Sequence, residues 1–489
     1  MNEPTLYVTN WVPFLAVLTL AALLSGCLDA QPDNTKARGL GNPGSALPRL
    51  LDPGLTVGQD RPLLTERVRA REIDVATDPK NPLHMAAVMM VPYPTQYPLA
   101  PYDSMQWTGI ALSDDGGKTW KYEPIRGYPG DSSPGPFPGA WALGDAVLNF
   151  QPDGSLLLAV LPIRPPVVIS IGVAEFPWGS RQPSFVSEFA SGAVGINGLH
   201  DAPTSQVGPH VDKEQVTIDP FTGAVYATYS ERWQQSAEAR IMFAKSTDRG
   251  RTWTDPIPID PPQPHYIGSG KHQMGPWPTV TADGRLLILW SDLRSGSFYV
   301  SEASGNGFKA PRLIAKNPGT WLPSVGVDLT NGPNHGTIYV SLADARNGDA
   351  DVFLHVSRDG GATWEESVRV NQDPVRNGVG HRMPELVVEP DGAVSVVYMA
   401  ASGGSQAWNA FVARSVDGGR SFTEYQVSSA PTSPASINNQ PSFLTHLGDY
   451  FGISYNDHGV VAVWQDGRKS TPEKPYSEAW MVDLPTRDA

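Results

Sequence analysis

The chain of 489 residues has a single cysteine, Cys27, so no disulfide can form within it. Basic residues are in deficit: 36 Lys and Arg against 50 Asp and Glu give a formal net charge of −14. Without a Lys/Arg cluster the chain is poorly suited to a phosphate backbone, and nucleic acid is not expected as a partner. Long amphipathic helical patterns are scarce. So are long hydrophobic runs; one stands out, WVPFLAVLTLAALL at residues 11–24, and it is too short for a comfortable membrane span. No cofactor is expected.

That run ends in Leu24-Ser25-Gly26-Cys27. It resembles a bacterial lipoprotein signal, in which the lipobox cysteine is lipidated and becomes the mature N-terminus. The alternative, a buried free cysteine closing a core helix, leaves unexplained why the one cysteine falls where a lipobox requires it. The resemblance implies a signal peptide at residues 1–27 and a membrane partner through lipidated Cys27. It also implies a lipid-anchored protein of the bacterial cell envelope, facing the periplasm or the exterior. Residues 28–60, polar and rich in Pro, Gly, Asn and Asp, read as a flexible tether.

What the chain has in quantity is glycine and proline, 48 and 47 residues. Between them lie short β-branched and aromatic runs that stop at turn residues, such as TIYVSLAD (337–344) and AVSVVYMA (393–400). These are strand signals, and the composition is all-β.

One phrase recurs: SDDGGKTW at 113–120, STDRGRTW at 246–253, SRDGGATW at 357–364 and SVDGGRSF at 415–422. The starts, Ser113, Ser246, Ser357 and Ser415, are 133, 111 and 58 residues apart. The wider gaps are close to double the narrow one, so degenerate copies are expected between. SEASGNGF (301–308) is one, having lost the aspartate; VAEFPWGS (173–180) is a weaker one. The period is then roughly 50–65 residues, about four short strands with their turns. Ahead of each phrase lies an apolar run, a turn and a second apolar run, the pattern of a β-hairpin. Seven such hairpins are found, near 72–90, 143–160, 213–229, 277–290, 324–342, 385–399 and 451–464. The last unit runs out of chain after three strands, and residues 54–70 can supply the missing one. The expectation is a single β-propeller domain over residues 61–489, with seven four-stranded blades closed by an N-terminal strand. Six blades is the alternative, because the second unit is the least regular.

The phrase S-x-D-x-G-x-[TS]-[WF] resembles the Asp-box, or bacterial neuraminidase repeat, of the sialidase-like propellers; the resemblance covers about residues 62–485. Its physics is structural. The glycines permit a tight turn with positive φ. Asp115, Asp248, Asp359 and Asp417 can accept hydrogen bonds from turn N–H groups. Trp120, Trp253, Trp364 and Phe422 can pack between sheets. The resemblance implies that these boxes lie on the face away from any active centre.

The opposite face holds the B–C loops and the entries to strand A. The B–C loops repeat an Asp-x-Arg phrase: Asp292 with Arg294, Asp344 with Arg346, Asp466 with Arg468, and Glu231 with Arg232 in the corresponding place. These arginines either ring an anionic substrate or pair locally to pin the loops; repetition from blade to blade favours pairing. The strand A entries align on histidines: His210, His272, His381 and His446, with Arg382 beside the third. Such side chains can bind a metal or a ligand, or simply line a wet channel. The same entries carry Asp145, Asp212, Glu214, Glu385 and Asp449, and Tyr450 follows the last.

Two function classes follow. The resemblance implies, for a sialidase-type glycoside hydrolase, an arginine triad, an acid/base aspartate and a Tyr–Glu nucleophile pair. Here Tyr450 or Tyr229 would be the nucleophile, activated by Glu231, Glu214 or Glu385, with Asp145, Asp212 or Asp449 as the acid. The first arginine of that family sits in a Phe/Tyr-Arg-Ile/Leu-Pro motif, which this chain lacks; LPRL (47–50) falls in the tether and PIRPP (162–166) in the second unit. The first expectation is therefore a propeller that binds a glycan or an envelope protein, with hydrolysis of terminal sugars as the alternative.

Overall fold

The computed structural model describes residues 59–92, 106–164, 168–193, 210–233, 238–259, 263–264, 273–292, 295–316, 322–402, 407–432, 448–470 and 477–486. Cys27 and the tether up to residue 58 lie outside them, as do His272, Arg294, His446 and the side chains of His210 and Arg232.

The strands form seven separate sheets, each an antiparallel meander. We name the strands A to D within each blade. The innermost A strands are Arg71–Asp78, Ala142–Phe150, His210–Ile218, Gln273–Val280, Ser324–Val327, Val379–Val388 and Gly452–Tyr455. The fold is a seven-bladed β-propeller. The irregular second unit is a full blade, completed by Phe185–Ala193 as strand D. Its turn places Trp178 against His84 of blade 1, with ring centroids 4.4 Å apart, where an Asp-box would otherwise close the hairpin.

The B strands are near-continuous apolar runs because both faces of every blade are covered by neighbours. LLILWSD (Leu286–Asp292) is buried along its whole length, and LLLAVLPIR (Leu156–Arg164) is buried except at its last residue. Tyr229, Trp290, Tyr398 and Trp464 each sit on strand B and are no more than 1% exposed.

The ring closes as the spare-strand argument requires. Arg61–Pro62 pairs with Met481 and Trp480, supplying strand D of blade 7. Leu63 N–H continues the ladder to the Ala479 carbonyl at 2.8 Å, and Asp60 meets Arg468 at 2.8 Å. Closure covers the side of strand Glu478–Pro485 that blade 7 would otherwise leave unpaired.

In five blades strand A carries a β-bulge at its entry, and the residue there is left-handed: Glu72 (φ 47°), Asp145 (47°), Lys213 (55°), Gly275 (61°) and Met383 (54°). A bulge leaves one residue unpaired and re-aims its side chain. For the four that are not glycine, this conformation costs roughly 1–2 kcal/mol each. Three of those four are charged, and they meet near the axis.

Candidate functional site

A cavity of about 380 Å³ lies on the propeller axis. Its wall comes mainly from the A strands of blades 2 to 5, with Val147, Val216, Val280 and Val325 as apolar lining and Trp277 exposing part of its ring. Asp74, Glu385 and Tyr450 enter from blades 1, 6 and 7.

At the bulged entries the charged side chains converge. Lys213 Nζ lies 2.8 Å from Asp145 Oδ2, 2.6 Å from Asp449 Oδ2 and 4.0 Å from Asp212 Oδ1. The lysine side chain is only 4% exposed. Burial alone would lower its pKa, but Asp145, Asp449 and Asp212 outweigh this and hold it well above the ordinary lysine value. Glu72 and Arg71 belong to the same group. Burial, reinforced by Asp145, pushes Glu72 up to about 8 despite Lys213. Burial and Asp145 also drive Glu214 well above the carboxyl range. Its carboxyl oxygens are buried with no hydrogen-bond partner among the described residues. Tyr450 donates its hydroxyl to the Ala146 carbonyl at 3.3 Å.

The structure thus brings together Asp145, Asp212, Glu214, Asp449 and Tyr450 from the sequence-level candidates, with Glu385 on the cavity wall. It does not bring Tyr229 there. That ring is packed in an apolar layer with Leu161, Ile169 and Met242, and burial with Glu231 nearby raises its pKa. Glu231 stays beside Tyr229, paired across the sheet with Val211. Tyr450 is held well above its ordinary value by burial, Glu72 and Asp145, the reverse of what activates a tyrosine nucleophile.

Two of the Asp-x-Arg phrases close on themselves; Arg294 of the third lies outside the described residues. Arg346 Nε donates to Asp344 at 2.6 Å and its guanidinium stacks over Phe353. Arg468 Nε donates to Asp466 at 2.9 Å and the group lies over Trp480. Arg382 stacks on Trp408, its centre 3.8 Å from the ring centroid. Among the described residues no arginine triad faces the cavity.

The histidine alignment is corrected by one residue in blade 6. Strand pairing places Lys213 level with Met383, so His381 matches Val211 rather than His210. A one-residue slip turns a side chain to the other face. His381 accordingly points away from the cavity, its Nδ1 2.9 Å from the Ala350 carbonyl. Together with Asp351 and Asp373 it offers three ligand atoms close enough for a metal ion. That position is already served: Arg369 Nη2 lies 2.9 Å from both Asp351 and Asp373, and Asn371 Nδ2 donates to both at 2.8 and 2.6 Å. Both carboxylates are thus already occupied by N–H donors, and the group does not fit a cation.

The four Asp-boxes share one hydrogen-bond scheme. In blade 5, Ser357 Oγ donates to Asp359 at 2.8 Å, while Thr363 N–H donates to the same oxygen at 2.8 Å and its hydroxyl to the other at 2.5 Å. Gly361 N–H reaches Ser357 Oγ at 2.8 Å. The Thr252 hydroxyl and N–H hold Asp248 down to about 2. Each turn is also tied to the preceding blade. Three are held by its A–B turn: Asn456 donates to Gly116 O, Gln151 to Arg249 O and Arg285 to Gly360 O; the blade 6 turn is instead held by Arg358 of the blade 5 Asp-box, which donates to Gly418 O.

Sequence reasoning missed Arg71, Glu72, Asp74, Lys213 and Trp277. The usable signal was charge in a strand that is otherwise apolar: Lys213 stands between Asp212 and Glu214, and Arg71-Glu72 opens the first hairpin.

No family model matches the sequence, and no curated protein matches it. Among solved structures, a protein of unknown function from Dyadobacter fermentans is similar over 89% of this chain and 100% of its own, at 16% identity and TM-score 0.49. An α-L-arabinanase from Penicillium chrysogenum, complexed with arabinobiose, matches over 88% and 98% at 14% identity and TM-score 0.45. A Hadza microbial sialidase matches over 77% and 73% at 17% identity and TM-score 0.41.

Proposed function

We propose that this chain is a glycan-binding propeller of the bacterial cell envelope, attached to the membrane by lipidation of Cys27. The observation that carries the reading is the axial cavity. Its volume falls in the range of small-molecule sites. Carboxyl groups, a lysine and a tyrosine from several blades converge on it, and the exposed part of Trp277 offers an aromatic wall. Sugars present hydroxyls for such groups and C–H faces for such a ring. Four strained residues support the same reading, since strain of this kind persists where the surroundings enforce it and collects at functional sites.

Calorimetric titration of the full-length chain with a panel of mono- and disaccharides tests the reading. Saturable binding that is weakened by Asp145→Asn supports it; no heat with any sugar overturns it.

Hydrolysis at the same site is the second reading. Its support is Glu214, a carboxyl whose pKa burial and Asp145 raise, next to the carboxyls gathered by Lys213. Environments that separate two carboxyls in this way are how general acids and bases are assigned. Turnover of fluorogenic neutral glycosides, abolished by Glu214→Gln, would establish it. The local pairing of Arg346 and Arg468 argues against a sialoside as the substrate.

A further inference from the structure

Carboxyl groups around the axial cavity outnumber the cations that face them. Asp74, Asp145, Glu214 and Glu385 line it against one lysine, Lys213. That ammonium is committed to Asp145 and Asp449, at 2.8 and 2.6 Å. Glu214 is 1% exposed, lines the cavity, and has no hydrogen-bond partner for either oxygen among the described residues. Glu385 is buried with Asp74 as its charged neighbour, and no cation among the described residues accompanies either. Burying a polar group without a partner costs free energy that the fold must offset, and a carboxylate costs more than a neutral group. A guest that supplies positive charge and N–H donors removes that cost.

We propose that the cavity recognises an amino sugar, taking the free ammonium at Glu214 and laying the sugar ring against Trp277. This rests on the glycan reading above and names the class of glycan. A metal ion fits less well. Among the described residues, three ligand atoms within 4.8 Å of one another occur at Asp351, Asp373 and His381 and not at the axis. An ammonium, with three separate donors, does not need its acceptors gathered around one point.

The test is calorimetric titration of the full-length chain with glucosamine oligomers, their N-acetylated counterparts, sialyllactose and calcium chloride. The free-amine oligomers are expected to bind about 10- to 100-fold more tightly than the N-acetylated ones, the worth of one charged hydrogen bond. Glu214→Gln, which keeps the side-chain shape, is expected to remove that difference. Glu365→Gln, on the exposed Asp-box turn of blade 5, is expected to preserve it. Equal affinity for both oligomers overturns the amine assignment and leaves the glycan reading standing. So does a preference for sialyllactose. Binding of calcium alone, with no sugar bound, overturns both, as does the absence of any binding.

Discussion

The ammonium of Lys213 lies 2.6 Å from the carboxylate of Asp449. Lys213 belongs to blade 3 and Asp449 leads into blade 7, so the pair joins blades that are not neighbours in the ring. Asp145 of blade 2 completes the bridge. The ring is thus held at its edge by the closing strand and at its centre by one buried lysine.

Removing that lysine should be costly. Lys213→Met takes from Asp145 and Asp449 the ammonium they share and leaves Arg71 as the cation of the group, for an expected loss of about 3–5 kcal/mol. Urea unfolding measures it. Adding Asp145→Asn and Asp449→Asn to Lys213→Met should recover most of the loss, because the buried carboxylates that Lys213 bridged go with it.

Glu72 gives the protein a pH-dependent stability. Its pKa rises from 4.5 to about 8 on folding, through burial and then Asp145. The folded state therefore binds the proton more tightly than the unfolded state. The associated stability is fully present below about pH 4.5 and is lost as pH rises through 8. Melting temperatures from pH 5 to 9 should fall with pH in the native chain and fall less in Glu72→Gln.

The Asp-boxes should affect stability without affecting ligand. Asp359→Ala removes the acceptor for Ser357 and for both donors of Thr363. The site is exposed, so a loss of about 1–2 kcal/mol is expected. Thermal unfolding should register it, and sugar titration should show unchanged affinity.

Closure depends on a short segment. Leu63 and Leu64 are buried beside the Arg61–Pro62 strand. A chain beginning at residue 65 should aggregate on size-exclusion chromatography, because blade 7 then exposes an unpaired edge. One beginning at residue 59 should elute as the full-length chain does.

Much of the fold was legible in the order of residues. An Asp-box is a local object: Ser357, Asp359, Gly361 and Thr363 bond to one another within seven positions. Its chemistry is therefore written in the sequence, and its spacing counts blades even where copies such as SEASGNGF have decayed. The Asp-x-Arg pairs are local for the same reason, as Asp344 with Arg346 shows.

The axial site was legible in part. Asp145, Glu214, Asp449 and Tyr450 were found because they precede apolar runs in a shared register. Lys213 and Glu72 were not, because their importance lies in partners from other blades, more than 60 positions away in the chain. The bulges added a second obstacle. They shift the register of strand A by an amount that composition does not reveal, and a slip of one residue sent His381 to the wrong face on paper.

By itself, then, the sequence determined the all-β class, a propeller of seven blades or six, the closing strand and the face that carries the boxes. Each rests on contacts between residues close in the chain or on a period that repeats. The tertiary structure decided which charges meet at the axis, which of them lack partners, and which arginines are already taken. Those follow from seven strands converging on one line, where left-handed bulges aim side chains at neighbours that no local pattern can name.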